Sequence, residues 1–351
     1  MRRPASAIVA LLLSVVLLAT VLAGCAPAVP SEAEGPGPMA APDHSGEKIV
    51  FADVSWDAST FMCDLAAFIT REGYGYDAEV TVAANMVALK SIESGDIDVH
   101  MDVEYLSIGA VYDEVVASGK GEALGVSYTP VWQGWLVPTY MIEGDAERGI
   151  EATMPGVKTV FDLGEHWELF KDPEDPKKGR FLGCVPGWQC EETNRLKIEA
   201  YGLDETFNVV SPGSDAALSA SMVSAYEKGE SWFGYYWTPT WVMGKVEMTQ
   251  LEEPAYDADL WTEEAKFACA FPDDVGQIVG ATSLQQRAPE VREFLIKFNI
   301  PIEAMNELLL YLKESGKSAA EATPWFLTRY EDVWTQWVPA DVAERVKAAA
   351  K

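Results

Sequence analysis

The chain has 351 residues, 55 of them acidic against 26 basic, for a formal net charge of −29. A surface of that sign repels nucleic acid and anionic lipid headgroups, which excludes nucleic acid as a partner. Only His44, His100 and His166 are available to a nucleophilic relay, and no phosphate-cradling glycine loop, dinucleotide fingerprint or His-Glu-x-x-His helix occurs.

Arg2 and Arg3 precede a nearly unbroken apolar stretch from Ala7 to Leu22, which closes on Leu22-Ala23-Gly24-Cys25. A basic start, an apolar core and small residues before a cleavage point make residues 1–24 a secretory signal peptide, too short for a comfortable membrane span. The Leu-Ala-Gly-Cys ending resembles a bacterial lipobox, which implies that Cys25 is lipidated and anchors an extracytoplasmic protein to the membrane. Residues 25–46, rich in Pro, Gly and Ala without periodicity, read as the lipidated tether. Folded structure is expected from about Lys48-Ile49-Val50-Phe51, leaving about 300 residues, enough for two lobes with cores of their own.

From there strands and helices alternate. Ile49–Val54 reads as a buried strand, Ser55–Thr60 as a turn with capping residues, and Phe61–Thr70 as an apolar-periodic helix. Ala78–Val82 is the next strand, Met86–Glu93 a helix stopped by Gly95, and Ile97–Met101 a strand. Trp132–Tyr140 is a further strand, and Asp172–Pro176 a charged surface loop. A helix over about Glu192–Ala200, a strand at Asn208–Val210, a helix over Ser214–Lys228 and a strand over Trp232–Trp237 follow. The C-terminal part is mostly helical, over Glu290–Lys297, Ile302–Glu314 and Glu331–Ala349. This alternation predicts an α/β fold with mainly parallel pairing. A weak internal repeat supports two similar lobes: helix, Gly95, strand is echoed by helix, Gly229, strand, which sets Val103 opposite Trp237.

With Cys25 set aside, Cys63, Cys184, Cys190 and Cys269 are an even set in an exported chain, which permits disulfides. Cys184 and Cys190 close a tight loop and are the expected pair, while pairing of Cys63 with Cys269 stays open. Without Cys-x-x-Cys pairs no zinc site is expected, nor any other metal or cofactor.

Twelve tryptophans are present, and their positions matter more than their number. Trp56 follows the first strand, Trp188 sits in a Pro-Gly turn and Trp237 ends a strand, where α/β folds place ligand sites. A tetraalkylammonium ion offers no N–H donor, so its charge is best met by indole faces, each contributing about 0.5–2 kcal/mol. Trp132, Trp232, Trp261, Trp325, Trp334 and Trp337 are assigned to the core.

Leu182-Gly183-Cys184-Val185-Pro186-Gly187-Trp188-Gln189-Cys190-Glu191 resembles the Gly-Cys-x-Pro-Gly-Trp-x-Cys-Glu segment of glycine betaine/proline betaine binding proteins of ABC importers. Gly234-Tyr235-Tyr236-Trp237-Thr238-Pro239-Thr240-Trp241 resembles their Tyr-Tyr-x-Trp-x-Pro-x-Trp segment, and the likeness runs from about residue 48 to the C-terminus. It implies a type II periplasmic-binding-protein fold, two lobes with mainly parallel central sheets around a ligand cleft. Residues 47–133 and 273–351 would form lobe I and residues 134–272 lobe II. It further implies that Trp188 and Trp237 box a trimethylammonium group and that the backbone N–H groups of Gln189 and Cys190 hold the ligand carboxylate, a role suited to a helix start. A Cys184–Cys190 bridge would stiffen that loop. Partners implied are a small quaternary amine and the permease and ATPase subunits of the importer.

One departure stands out. Where many members carry a third cage Trp, this chain reads Met101-Asp102-Val103-Glu104-Tyr105, so Tyr105 or Glu104 is expected to take its place. Trp56 with Asp57 is a further candidate, similar to a Trp-x-Asp segment of choline-binding relatives. An acid near the cage favours a ligand without its own carboxylate, such as choline, and carnitine or another amine is a further alternative. A ligand-sensing subunit and a secreted glycosidase, which needs an aromatic cleft and two acids, are the remaining alternatives; no catalytic residue is expected.

Overall fold

The computed structural model describes residues 41–351, so the expected signal peptide, the expected lipidation at Cys25 and most of the expected tether lie outside the described residues. In chain order the strands are β1 (His44–Asp53), β2 (Tyr76–Val82), β3 (Val99–Glu104), β4 (Gly121–Val131), β5 (Gln133–Pro138), β6 (Gly179–Leu182), β7 (Phe207–Val210), β8 (Gly234–Trp237), β9 (Met248–Gln250), β10 (Asp274–Ala281) and β11 (Ile300–Pro301). They form two sheets, β11-β4-β10-β3-β1-β2 and β7-β6-β8-β5-β9. Pairing is parallel where βαβ units build the sheets, in β2-β1-β3 and β7-β6-β8, and antiparallel where β10 and β5 pass between neighbours.

The first strand starts before the expected Lys48. His44 enters β1 because its ring stacks on Tyr76, with centroids 4.4 Å and planes 11° apart. Its Nε2 also lies 3.6 Å from the Glu290 carboxylate. Residues 44–46 therefore leave the tether and join the first sheet.

Side-chain alternation explains how each sheet is covered. In β1, Ile49, Phe51 and Ala52 are all fully buried, because helices pack on both faces and an apolar run replaces strict alternation. In the second sheet Trp135 and Val137 point into one core and Leu136 into the other; Phe233 and Tyr235 likewise oppose Trp232 and Tyr236. The C-terminal helices complete the first core through residues such as Leu308, Phe326, Trp334 and Val346.

The internal repeat is built into this plan. The helices Asn85–Ser94 and Asp215–Lys228 both end on a left-handed glycine, Gly95 at φ 84° and Gly229 at φ 70°, a conformation free of Cβ strain only for glycine. Each is followed by the strand, β3 or β8, that flanks the first strand of its βαβ unit.

Several elements went unread in the sequence: the helix Tyr105–Ala117, strands β4, β6, β9 and β10, and the helix Ala319–Arg329. The single helix expected over Glu331–Ala349 is two, Glu331–Trp334 and Ala340–Ala349. Pro339 divides them, since it has no N–H to donate and restricts the residue before it. His166 lies on a 3₁₀ helix, Val160–Phe170. The loop at Asp172 is pinned rather than merely superficial: the buried Asp172 carboxylate accepts from Arg180 at 3.0 Å and Asn208 at 3.1 Å.

Sheet membership switches between Val131 and Gln133, across the single residue Trp132, and switches back between Gln250 and Asp274. Beside these crossings the helix Trp241–Lys245 packs on the helix Ile302–Ser315. The approach is so close that a Cβ on Gly244 would lie 2.3 Å from the Asn306 carbonyl oxygen.

Candidate functional site

A cavity of about 520 Å³ opens where the two sheets meet. Its lining includes five tryptophans, Trp56, Trp132, Trp188, Trp237 and Trp241, together with Tyr128 and Tyr235. The charged side chains of the lining are Asp57, Glu104 and Asp215, with no lysine or arginine among them. An aromatic, acidic and electropositively empty wall suits a cation whose charge cannot be reached by hydrogen bonds.

The second sheet supplies two walls. Trp188 is the N-cap of the helix Gln189–Ala200, entered through Gly187 at φ 89°. A disulfide, Cys184–Cys190, ties the exit of β6 to the first turn of that helix, with Cα atoms 5.7 Å apart. The Gly187 N–H donates to Glu191 at 2.8 Å and closes the turn further. Trp237 ends β8 and rests on Tyr236, centroids 4.5 Å apart and 26° from parallel. Behind it Tyr235 donates its hydroxyl proton to Gln133 at 2.7 Å. The Trp188 and Trp237 rings lie 5.4 Å apart at 71°, adjacent walls at nearly a right angle. Asp215 opens the helix after Ser214, whose hydroxyl accepts from the Ala217 N–H at 3.2 Å.

The first sheet supplies the facing wall by a different device. Trp56 caps the helix Asp57–Phe68, and its indole N–H donates to Asp102 Oδ2 at 2.5 Å. The Tyr128 hydroxyl donates to the other oxygen of Asp102 at 2.6 Å. Asp102 is fully buried on β3. Burial raises its carboxyl to about 7, the charge of Glu104 adds to the shift, and the hydrogen bonds from Trp56 and Tyr128 oppose it. His100, two residues earlier, is held down to about 4 by burial and is neutral. Its Nδ1 accepts the Asp102 N–H at 3.2 Å, so Nε2 carries the proton and donates to Asn85 Oδ1 at 2.9 Å.

Behind the second-sheet walls lies a buried ion pair. Lys197 and Glu253 are 2.5 Å apart and essentially inaccessible. Lys197 also donates to the Cys269 carbonyl at 2.7 Å and lies 4.2 Å from the Phe271 ring centroid, while Tyr201 donates to Glu253 at 2.9 Å. Burial pushes the lysine down and the carboxyl up, and each partner's charge opposes the other's shift.

Of the residues singled out in the sequence, Trp56, Asp57, Glu104, Trp188 and Trp237 meet at this cavity. Gln189 and Cys190 begin the helix directly behind Trp188, with the Cys190 sulfur in the disulfide. The N–H groups at Gln189 and Cys190 come too early in the helix to have a carbonyl of its own to bond, whereas Glu191 donates to the Trp188 carbonyl at 3.0 Å. Tyr105 is not part of the lining. Its ring folds back along its own helix over Gly109, where a Cβ would sit 3.1 Å from it, and its hydroxyl donates to Asp113 at 3.0 Å. Trp132, assigned to the core, instead lines the cavity, because it is the residue that carries the chain from one sheet to the other. Tyr128, Tyr235, Trp241 and Asp215 were missed. Tyr235 and Trp241 stand inside the aromatic motif around Trp237, a usable signal; Tyr128 had none. Cys63 and Cys269 are separate buried free thiols, Cys63 in the core that covers the first sheet.

The model of the substrate binding domain of the ABC-type glycine betaine transport system matches residues 47–329. A glycine betaine/proline betaine-binding periplasmic protein of Salmonella typhimurium is 35% identical over 293 residues, 78% of this chain and 84% of the relative. The glycine betaine-binding periplasmic protein OusX of Dickeya dadantii is 28% identical over 214 residues, 59% of this chain. That match spans 60% of the relative's length. Lactococcal OpuAC, solved in a closed conformation with glycine betaine, superposes with a TM-score of 0.54 at 17% identity, over 84% of this chain and all of that one. At that identity the likeness speaks for the fold.

Proposed function

The chain belongs to the family of substrate-binding domains of ABC-type glycine betaine transport systems, and from that premise we propose that it captures a quaternary-ammonium solute outside the cytoplasm and delivers it to an importer. The observation that carries the ligand class is the cavity itself: Trp188 and Trp237 at nearly a right angle, Trp56 facing them, and a charged lining that is wholly acidic. The cation sits among the indole faces. The N–H groups at Gln189 and Cys190 take the carboxylate of a betaine, as a helix start favours an anion.

Residues 47–133 and 273–351 act as one lobe and 134–272 as the other, hinged at Trp132 and across 251–273, so that closing brings Trp56 onto the ligand. The closed form docks on the permease and its ATPase. No bond is made or broken. The lipobox-like segment ending at Cys25 would keep the protein at the membrane.

A second reading is supported by Asp57, Glu104 and Asp215 in the lining: three carboxylates favour a cation without its own, such as choline. Isothermal titration with glycine betaine, proline betaine, choline, carnitine and proline in parallel separates the two. One-site binding of a betaine supports the first reading and choline alone the second. Silence from all five overturns the ligand class and leaves the fold.

A further inference from the structure

The first-sheet wall of the cavity hangs on one buried carboxylate. Asp102 is fully buried and receives the Trp56 indole N–H on one oxygen and the Tyr128 hydroxyl on the other, at 2.5 and 2.6 Å. Both donors line the cavity. Two donors on two oxygens fix the ring plane of Trp56 far more tightly than packing alone, since a charge-assisted bond is short and strongly directional. The groups that face Asp102 are Glu104 on its own strand, Asp274 on β10, Cys63 on the helix Asp57–Phe68, Tyr128 on β4 and the neutral His100. None of these is a cation. A buried carboxylate is ordinarily paired with one.

Resting on the quaternary-ammonium reading above, we propose that Asp102 is a positioning and specificity-determining residue whose negative charge, held behind Trp56 and Tyr128, is completed by the cation of the bound ligand. The side chain does not touch the ligand. It orients the indole and raises the negative potential on the cavity side of the wall, where a low local dielectric keeps the attraction from being screened. Its cost falls on the empty protein. Burial and the neighbouring Glu104 hold this carboxyl up at about 7, so near neutral pH the empty cavity carries the group partly protonated. A cation in the cage draws the proton off. Affinity for a cation therefore falls as pH drops from 8.5 to 6.0, a window that stays above the range in which His100 takes up a proton.

The test is binding of glycine betaine and of choline to the wild type, Asp102→Asn and Glu104→Gln, by titration calorimetry at pH 8.5, 7.0 and 6.0. Asparagine keeps the shape and removes the charge. It is expected to weaken whichever probes the wild type binds by about tenfold at pH 8.5 and to flatten the pH dependence; Glu104→Gln keeps a dependence but moves it to lower pH, because the Glu104 charge no longer helps to raise the Asp102 carboxyl. Where both probes bind, the loss is similar for both, because the cation end is common to them. Wild-type affinity and slope in Asp102→Asn, or a slope lost only in Glu104→Gln, would overturn the proposal. Should Asp102→Asn not fold, a wild-type affinity that is flat across the three pH values overturns it equally. Silence of the wild type toward both probes sinks the ligand reading and this inference together, whereas wild-type binding with an indifferent Asp102→Asn sinks the inference alone.

Discussion

The two halves of the cavity solve one problem in opposite ways. Each sheet sets tryptophans around the cavity and buries ionisable groups behind them. On the second-sheet side the buried charges cancel within the protein: Lys197 and Glu253 lie 2.5 Å apart beneath Trp135, Trp261 and Phe271. On the first-sheet side Asp102 is met by two neutral donors, Trp56 and Tyr128. A neutral wall can hold its rings ready whether or not a ligand is present. A wall with an uncancelled charge is complete only with a cation in front of it. The second-sheet side is thus the platform and the first-sheet side the one that responds to charge.

The comparison breaks most violently if the platform's own pair is split. Lys197→Met leaves the Glu253 carboxylate without a cation in an aromatic core, and removing one partner of a buried pair costs about 3–5 kcal/mol. Chemical denaturation should show a loss of that size, and Lys197→Met with Glu253→Gln together should recover much of it. A loss under about 1 kcal/mol would mean that the pair is solvated and the platform is not self-neutral.

Next in size come the walls. Trp237→Ala removes a ring that packs on Tyr236 and stands at 71° to Trp188, and about a 100-fold loss of affinity, about 2.7 kcal/mol, is expected for it and for Trp188→Ala. Calorimetry reads this directly. Near-native affinity in both variants would remove the second-sheet side from the site.

These walls were also the most legible part of the sequence. Gly183–Glu191 and Gly234–Trp241 each carry a wall, its supports and its turn within one short run, so a contiguous motif suffices. The Gly95–Gly229 echo was legible for the same reason: a helix stop and the strand after it are local events. The first-sheet wall is assembled from the ends of β1, β3 and β4, with Trp56, Asp102 and Tyr128 separated by 46 and 26 residues. No local pattern announces that a carboxylate on one strand will gather one donor from a helix cap and another from a distant strand. Strand β4 itself was missed because Gly121–Val131 has an irregular exposure pattern. Tyr105 shows the converse. Its place in the chain matched a cage position, but the helix that starts there turns the ring back over Gly109.

Of intermediate size is the loop that presents Trp188. The Cys184–Cys190 bridge spans a sequence separation of 6, and closing so short a loop limits the unfolded chain by about 2 kcal/mol. Cys184→Ser with Cys190→Ser should lower stability by that amount in a denaturant titration. Affinity should fall only a few-fold, since Trp188 keeps its contact with Trp237 and loses some of its preorganisation. A loss as large as that of Trp188→Ala would place the bridge itself among the determinants of the ligand pose.

The smallest effect sharpens the comparison most, because it tests which residues belong to the responsive side at all. Tyr105 follows Glu104, which lines the cavity, yet its hydroxyl is engaged with Asp113 and its ring is 5.5 Å from Tyr112, edge to face, on an exposed helix surface. Tyr105→Ala should leave the affinity for a quaternary amine within about twofold and stability within about 0.5 kcal/mol, as for a surface substitution. Trp56→Phe, which keeps an aromatic face but cannot donate to Asp102, should weaken binding clearly more. If the order is reversed, lobe closure must swing the Tyr105 ring off Gly109 and into the cleft, and the first-sheet wall would then be made by movement rather than by the buried carboxylate.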